Sequence, residues 1–337
     1  MWGVWLRAGD ASWTTIKIDG REYVPLSEIS DAYEMVPMPE RADSREVGIS
    51  SDERSLVAKV NSREALINGV RHWLSFPAKL GEDGLPSIAR ADLESTVLPA
   101  FFPGSVKEVT PVKIVVLDPG HGGHDKGAAS ALGLEKDYAL DTVKRLRRLL
   151  EAEGIKVVQT RLGDTFIPLQ TRPSMIKNYE DPIFVSIHLN SAGRRAASGF
   201  EVFAYPPLGA PSTGQPTASD RDLRPQPGNA KEPASLVLAN TVHHAMLGNV
   251  AGYDRGVKRA RFSVLRNARS PAILVEGGFL SNPRDAVRIA SSQWREHYAK
   301  AVAEGIMAYI KLANEGVVPP SVADYGRDPT DEFVPPI

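Results

Sequence analysis

No cysteine occurs among the 337 residues. Disulfides and thiolate metal ligands are thereby excluded, so any metal must be held by His, Asp or Glu. No stretch approaches the roughly 18 consecutive apolar residues that a membrane-spanning helix needs, and no membrane span is expected. Charge of one sign is lacking too: 40 Lys and Arg stand against 41 Asp and Glu, which is not the footprint that nucleic-acid binding requires. Nucleic acid is therefore not expected as a partner. Met1–Trp13 has only a short apolar stretch broken by Arg7; it lacks the basic flank, longer apolar segment and small-residue cleavage site of a secretory signal.

An apolar share of 42% with 24% charged residues suits a globular chain, and the length favours two domains. Residues 1–105 read as a small β-rich unit. The alternation of Ile16 and Ile18 around Lys17 suits a half-buried strand, and Asp19-Gly20 leads by a turn to Tyr23–Pro25. Asn68-Gly69 within Ala65–Leu74 repeats that strand, turn, strand form, a hint of internal duplication. Residues 33–63, rich in charge and proline, are expected to form loops and a short helix.

After a linker at 106–112 the pattern changes. Strand-like apolar runs at Lys113–Leu117, Lys156–Thr160, Ile183–His188, Gly199–Tyr205 and Ala272–Glu276 alternate with helical stretches at Tyr138–Glu153, Leu169–Tyr179, Ser235–Gly248 and Gln293–Ala313. Such alternation predicts an α/β fold with a mostly parallel twisted sheet covered by helices over 113–315, preceded by the small β-rich domain. Within it, 206–233 is rich in Pro, Gly, Ser and Thr and reads as a long surface loop. Residues 316–337, with Pro319-Pro320 and Pro335-Pro336, read as an extended tail.

Chemistry gathers at the carboxyl ends of the predicted strands, where open α/β sheets bind ligands. Asp118-Pro119-Gly120-His121-Gly122-Gly123-His124-Asp125 follows the first run, its glycines letting the backbone turn and present the imidazole. A phosphate-cradling loop is disfavoured, because the Walker spacing and its Lys-Ser/Thr pair are absent; a turn whose histidine only hydrogen-bonds remains open. His188 ends a second run, and two histidines at two strand ends are the minimum of a shared metal site. Glu276 ends a third run and precedes Gly277-Gly278; a carboxylate there needs a purpose or a salt bridge, for instance to Arg266 or Arg269. Glu135 reads from the residues alone as the acidic first turn of a helix. His243, His244 and His297 fall in helical stretches and are expected to be surface or packing residues, and His124 is a weaker competitor of His121.

Four motifs in order, Leu117-Asp118-Pro119-Gly120-His121-Gly122-Gly123, Gly133-Leu134-Glu135-Lys136-Asp137, Ser186-Ile187-His188-Leu189-Asn190 and Val275-Glu276-Gly277-Gly278-Phe279-Leu280-Ser281-Asn282, resemble the zinc-dependent N-acetylmuramoyl-L-alanine amidases of the Amidase_3 type. The likeness covers about residues 113–312. Lesser marks are Thr160-Arg161 with Asp164, Leu169 with Arg172, and Arg255-Gly256-Val257-Lys258. The resemblance implies a phosphorylase/hydrolase-like catalytic domain, with His121, Glu135 and His188 as ligands of Zn2+ and Glu276 as the catalytic glutamate. It replaces the helix-dipole reading of Glu135. It further implies peptidoglycan as substrate, cut between N-acetylmuramic acid and L-alanine, and a cell-envelope location, periplasmic or extracellular.

Asp118 and Asp125 are candidates to orient an imidazole of such a site. Lys126 stands where proline is frequent in the family and Leu189 where alanine is, and the 206–233 insertion is long; these departures bear on the rim of the cleft. Some relatives insert an inhibitory helix between the second histidine and the later glutamate, for which this Pro-rich insertion is poorly suited. An α/β zinc site does not choose its amide by itself, so a zinc peptidase acting on cell-wall or other peptides and a non-catalytic wall-binding module stand as alternatives. Ile18-Asp19-Gly20-Arg21-Glu22-Tyr23-Val24-Pro25-Leu26 and Ile67-Asn68-Gly69 resemble, over short stretches, the stalk-like domain named after the copper amine oxidase N-terminus. That likeness implies a spacer or wall-associating role without copper chemistry.

Overall fold

The computed structural model describes residues 12–39 and 45–319. The start of Met1–Trp13 and the tail from Pro320 onward lie outside the described residues. Among the described residues no helix is long and apolar enough to cross a membrane.

In the N-terminal part, β1 (Ile16–Ile18) and β2 (Arg21–Pro25) form an antiparallel hairpin. Its turn residues Asp19 and Gly20 both have left-handed φ, 50° and 78°, the combination that matches the twist of the flanking strands. Helix α1 (Leu26–Ala32) leads into an antiparallel meander of β3 (Val36–Pro37), β4 (Glu46–Ser50), β5 (Ser55–Lys59), β6 (Glu64–Ile67) and β7 (Val70–Trp73). β8 (Lys79–Leu80) and β9 (Pro86–Ala89) return to β2, and a helical run follows through α2 (Arg90–Asp92), a π-type turn and α3 (Leu98–Phe101). Residues 33–63 therefore hold strands rather than loops and a short helix. Their charges Asp52, Glu53 and Arg54 cluster in the β4–β5 turn, while pairing buries Ile49, Leu56 and Ala58.

The second part alternates as its pattern predicts. It comprises β10 (Ile114–Pro119), a small hairpin of β11 (Ala129–Ser130) and β12 (Gly133–Leu134), α4 (Glu135–Ala152), β13 (Lys156–Gln159), α5 (Thr171–Ser174), β14 (Pro182–Asn190), β15 (Phe200–Ala204), α6 (Glu232–Asn249), β16 (Asp254–Arg259), α7 (Ser263–Arg266), β17 (Ala272–Phe279), α8 (Pro283–Ala290) and α9 (Ser292–Glu315). The strands order as β13-β10-β14-β17-β15-β16. Only the β15–β17 pair is antiparallel within that set, so the sheet is mostly parallel. It continues through one parallel contact, Val257 opposite His72, into β7 and the N-terminal meander.

Both faces of this sheet are covered, which is why its strands read as unbroken apolar runs. Val115, Leu117, Val185 and Ile187 pack with Val143, Leu146 and Leu150 of α4 and with Val242, Val302 and Ile306 of α6 and α9. Ile114, Val116, Phe184 and Leu274 pack with Ile176, Val264 and Leu265 on the other face. The fully buried side chains of each face contribute about 1.5–3 kcal/mol apiece relative to exposure.

Three further differences from the sequence reading have physical causes. The stretch Leu169–Tyr179 holds only α5 and a 3-10 turn at Met175–Asn178; Pro173 stands in the first turn of α5, where its missing N–H costs nothing, and its ring disfavours a helix that begins as early as Leu169. β16 escaped notice because Asp254, Lys258 and Arg259 are charged; all three are buried, with Lys258 paired to Glu201 and Arg259 to Glu232. The 206–233 segment ends in helical structure, a 3-10 turn at Pro227–Lys231 running into α6 at Glu232; the rest is a largely exposed loop tied down by polar contacts, with Ala210 and Asp222 buried, Asp222 meeting Arg261 at 2.7 Å and Arg63 donating to the carbonyl of Gln215 at 2.8 Å. Polar side chains rather than an apolar stripe hold it, so hydrophobic periodicity could not reveal it.

Candidate metal centre and active-site cleft

The loop after β10 is shaped by two buried arginines that fill its inward carbonyls. Arg161 donates to the carbonyls of Pro119 at 3.0 Å and Gly120 at 2.8 Å. Arg172 donates to Pro119 at 2.8 Å and to His121 at 2.7 Å, and pairs with Asp118 at 2.8 Å. These bonds hold His121 in a left-handed backbone conformation, φ 60°, which costs a non-glycine residue about 1–2 kcal/mol. The strain turns the imidazole inward over the strand ends.

Nδ1 of His121 faces both oxygens of Asp125 at 2.9 Å, which places the ring proton there and frees Nε2 as a donor atom. That Nε2 lies 3.1 Å from Oε1 of Glu135. Glu135 opens α4; its Oε2 accepts from Ala128 N at 2.7 Å and its Oε1 from Leu189 N at 3.1 Å. His188, near the end of β14, brings Nδ1 within 2.9 Å of the same Oε1. Donor atoms of His121, Glu135 and His188 all lie within 4.8 Å of one another, and a Cβ at Gly120 would come 2.3 Å from the His188 ring. Two imidazoles and one carboxylate, with no competing lysine in the cluster, form a donor set that fits a divalent transition metal.

Charges in this group oppose burial. Desolvation alone would raise the pKa of Glu135, but hydrogen bonds and charge from His121 and His188 outweigh it and hold the carboxyl well below its usual range. Burial would lower His121, yet hydrogen bonds to Glu135 and Asp125 raise it. Glu276 behaves oppositely: burial first, then the charges of Glu135 and Glu201, push it well above the usual carboxylate value.

Glu276 sits in β17 directly opposite His188 of β14, and the two share a cleft of about 250 Å³ with His121, Glu135, Asn190 and Phe262. Its Oε2 is buried without a hydrogen-bond partner. The salt bridge to Arg266 or Arg269 is not formed, because both arginines precede the strand at the opposite end of β17 from Glu276. A buried, unpartnered carboxyl at the edge of a cleft can accept and return a proton.

The remaining sequence candidates separate cleanly. Asp125 orients His121, whereas Asp118 touches no imidazole; it accepts from Thr160 Oγ1, Arg172 and Ser186 Oγ. His124 stacks on Phe166 with centroids 4.2 Å apart and stands outside the cluster. His243 is fully buried against Asp254 at 2.7 Å, a packing role. None of residues 206–233 is among those lining this cleft. Phe262, Ser263 and Val264 do line it and were missed; the only sequence sign was an isolated aromatic after the basic run ending at Arg261.

Comparison with known proteins follows the same outline. The family model for N-acetylmuramoyl-L-alanine amidase matches residues 115–308. The chain is 33% identical over 245 residues to N-acetylmuramoyl-L-alanine amidase AmiC of Escherichia coli O6:H1, covering 65% of this chain and 58% of that protein. It is 32% identical over 219 residues to amidase AmiA of Escherichia coli K12, covering 58% of this chain and 76% of that one. Among solved structures it resembles amidase AmiC2 of Nostoc punctiforme, with 35% identity and a TM-score of 0.50 over 60% of this chain and 99% of that chain. The chain thus spans less than two thirds of the AmiC relative.

Proposed function

The chain belongs to the N-acetylmuramoyl-L-alanine amidase family, and from that premise we propose that residues 113–315 hydrolyse the amide between N-acetylmuramic acid and L-alanine in peptidoglycan. The observation that carries this reading is the convergence of His121, Glu135 and His188 beside the buried Glu276 in one cleft. His121, Glu135 and His188 would hold Zn2+, the three-donor complement typical of catalytic zinc sites. When bound, zinc supplies Lewis acidity that acidifies water and polarises the scissile carbonyl.

Glu276 is the general base of the proposal. It takes a proton from the attacking water and returns it to the departing amine of L-alanine, which leaves poorly without one. Its raised pKa suits both tasks, because a group that binds its proton too weakly cannot give it back to the amine with useful effect. Asp125 keeps the His121 ring in one orientation, and the Arg161 and Arg172 clamps keep its loop in place. Such a substrate places the activity at the cell envelope.

Digestion of purified peptidoglycan by the zinc-loaded protein tests the reading. New L-alanine amino termini with intact glycan strands are expected. New ends within the stem peptide would instead identify a peptidase, and sedimentation with the wall without products would identify a binding module.

A further inference from the structure

Glu201 is a buried carboxylate that the mechanism above does not use. The antiparallel register of β15 and β17 sets it directly opposite Glu276, and directly opposed residues project to the same face of a sheet, where like charges repel. Glu201 is 3% exposed, and its oxygens are all engaged. Oε1 accepts from Asn190 Nδ2 at 2.7 Å, and Oε2 accepts from Arg255 Nε at 2.8 Å and from Lys258 Nζ. Two cations and an amide thus draw the carboxylate away from its neighbour.

Lys258 and the backbone of Arg255 are met from the N-terminal strand β7 of the same sheet, while the Arg255 guanidinium itself rests on the Phe279 ring, 4.9 Å from its centroid. Trp73, at the end of β7, donates from Nε1 to the carbonyl of Arg255 at 2.9 Å. Its ring lies 5.5 Å from Lys258 Nζ, within the range where an ammonium is attracted to an indole face. Next to it His72 opposes Val257, the single register contact joining β7 to β16. Asn190, at the far end of the chain of contacts, lines the cleft, and its carbonyl accepts from Leu280 N at 2.8 Å. The family match begins at residue 115, so Trp73 belongs to the part of this chain beyond it.

We propose that Trp73 is a positioning residue for the amidase cleft, acting through Lys258 and Arg255 on Glu201 and so on the placement of Asn190 and Glu276. This rests on the assignment of Glu276 as base. The N-terminal meander is then a working part of the site: it braces Lys258 and the Arg255 backbone, and so the charges that keep one carboxylate from crowding the other. Loss of the ring or of the Lys258 charge releases Glu201 toward Glu276 without touching the His121, Glu135 and His188 cluster.

The test compares Trp73→Leu, Lys258→Met and Lys258→Arg with the parent protein at matched zinc content. Rates are read on a soluble muropeptide, and the Asn190 side-chain amide signal is read by NMR, assigned by its absence in Asn190→Ser. Expected are a fall in kcat of about tenfold for K258M, the scale of one charge-assisted hydrogen bond, and of roughly fivefold to tenfold for W73L, the scale of a neutral hydrogen bond with a cation–π contact, with KM little changed. Recovery in K258R and a moved Asn190 signal in the two impaired variants are also expected. Should K258M fail to fold, Trp73→Phe, which keeps a ring and loses the N–H, carries the comparison. Unchanged kcat and an unmoved Asn190 signal in folded variants would overturn the inference. A parent protein inert toward muropeptides would overturn the amidase reading instead, and the Asn190 signal would still decide whether Trp73 governs the cleft.

Discussion

Nδ1 of His188 and Oε1 of Glu135 lie 2.9 Å apart although 53 residues separate them. The contact joins the carboxyl end of a strand to the first residue of a helix, and Oε1 is shared with Nε2 of His121 at 3.1 Å. Such a cluster can share protons between imidazole and carboxylate, and the same atoms, two imidazole nitrogens and a carboxylate oxygen within 4.8 Å of one another, form a donor set that suits a divalent transition metal.

His188→Ala is therefore expected to abolish stoichiometric zinc binding and turnover together. Asp125→Ala removes only the group that orients His121, and should weaken zinc by about 10–100-fold, the usual cost of losing such a partner. Competitive titration with a chelator of known affinity measures both. Full zinc occupancy in H188A would contradict the ligand assignment.

Gly127→Ala should damage the site without altering a donor. Gly127 has φ +65°, and a Cβ there would lie 2.5 Å from Oε2 of Glu135 and 2.5 Å from Cδ2 of His121. The backbone penalty is about 1–2 kcal/mol, and the clash must displace a ligand. Lower zinc affinity together with a lower Tm is expected; a variant matching the parent in both would show that the cluster can shift freely.

Legibility of the site in the sequence followed from where each residue stands. His121 stands in the loop just beyond one apolar run and His188 and Glu276 close two others, which singled them out, although β14 and β17 continue past them to Asn190 and Phe279. Glu135 opens a helix, where an acidic residue is ordinary, and only the family resemblance separated it from that background. The sheet was legible because both faces of β10, β14 and β17 are buried. β16 was not, since its charged residues are neutralised by partners distant in sequence, as Lys258 is by Glu201. The contact of Trp73 with Arg255 spans 182 positions, and no local pattern encodes it.

Glu276→Gln should keep its zinc and lose about 10²–10⁴-fold in kcat, the range for deleting a general base. The acid limb of the parent's kcat/KM profile is expected above the ordinary glutamate value of 4.5, because burial, with the charges of Glu135 and Glu201, raises Glu276. Activity falls as pH drops through that raised value, since the protonated carboxyl cannot accept a proton. The residual activity of E276Q should lack this limb; an unchanged limb would assign it to another group.

His72 gives a pH dependence of stability. Burial, only partly offset by its hydrogen bond to Asn240, lowers its pKa from 6.5 to about 3. Between those values the unfolded chain binds a proton that the folded protein excludes, so stability is full above about pH 6.5 and declines as pH falls toward 3. The slope from this one group is at most about 1.4 kcal/mol per pH unit. Urea unfolding of the parent and of His72→Gln between pH 7.5 and 5, where pH is the experimental variable, should show a shallower decline in the variant. Equal slopes would mean that His72 is protonated in the folded state.

The most direct test of the account is hydrolysis of a soluble muropeptide in ¹⁸O-enriched water by the zinc-loaded protein, with the products read by mass spectrometry. Expected are one ¹⁸O atom in the lactyl carboxylate of N-acetylmuramic acid and an unlabelled stem peptide with a free L-alanine amine, both formed about 10²–10⁴-fold more slowly by E276Q. Label in a carboxylate of the stem peptide, or equal cleavage by E276Q, would contradict it.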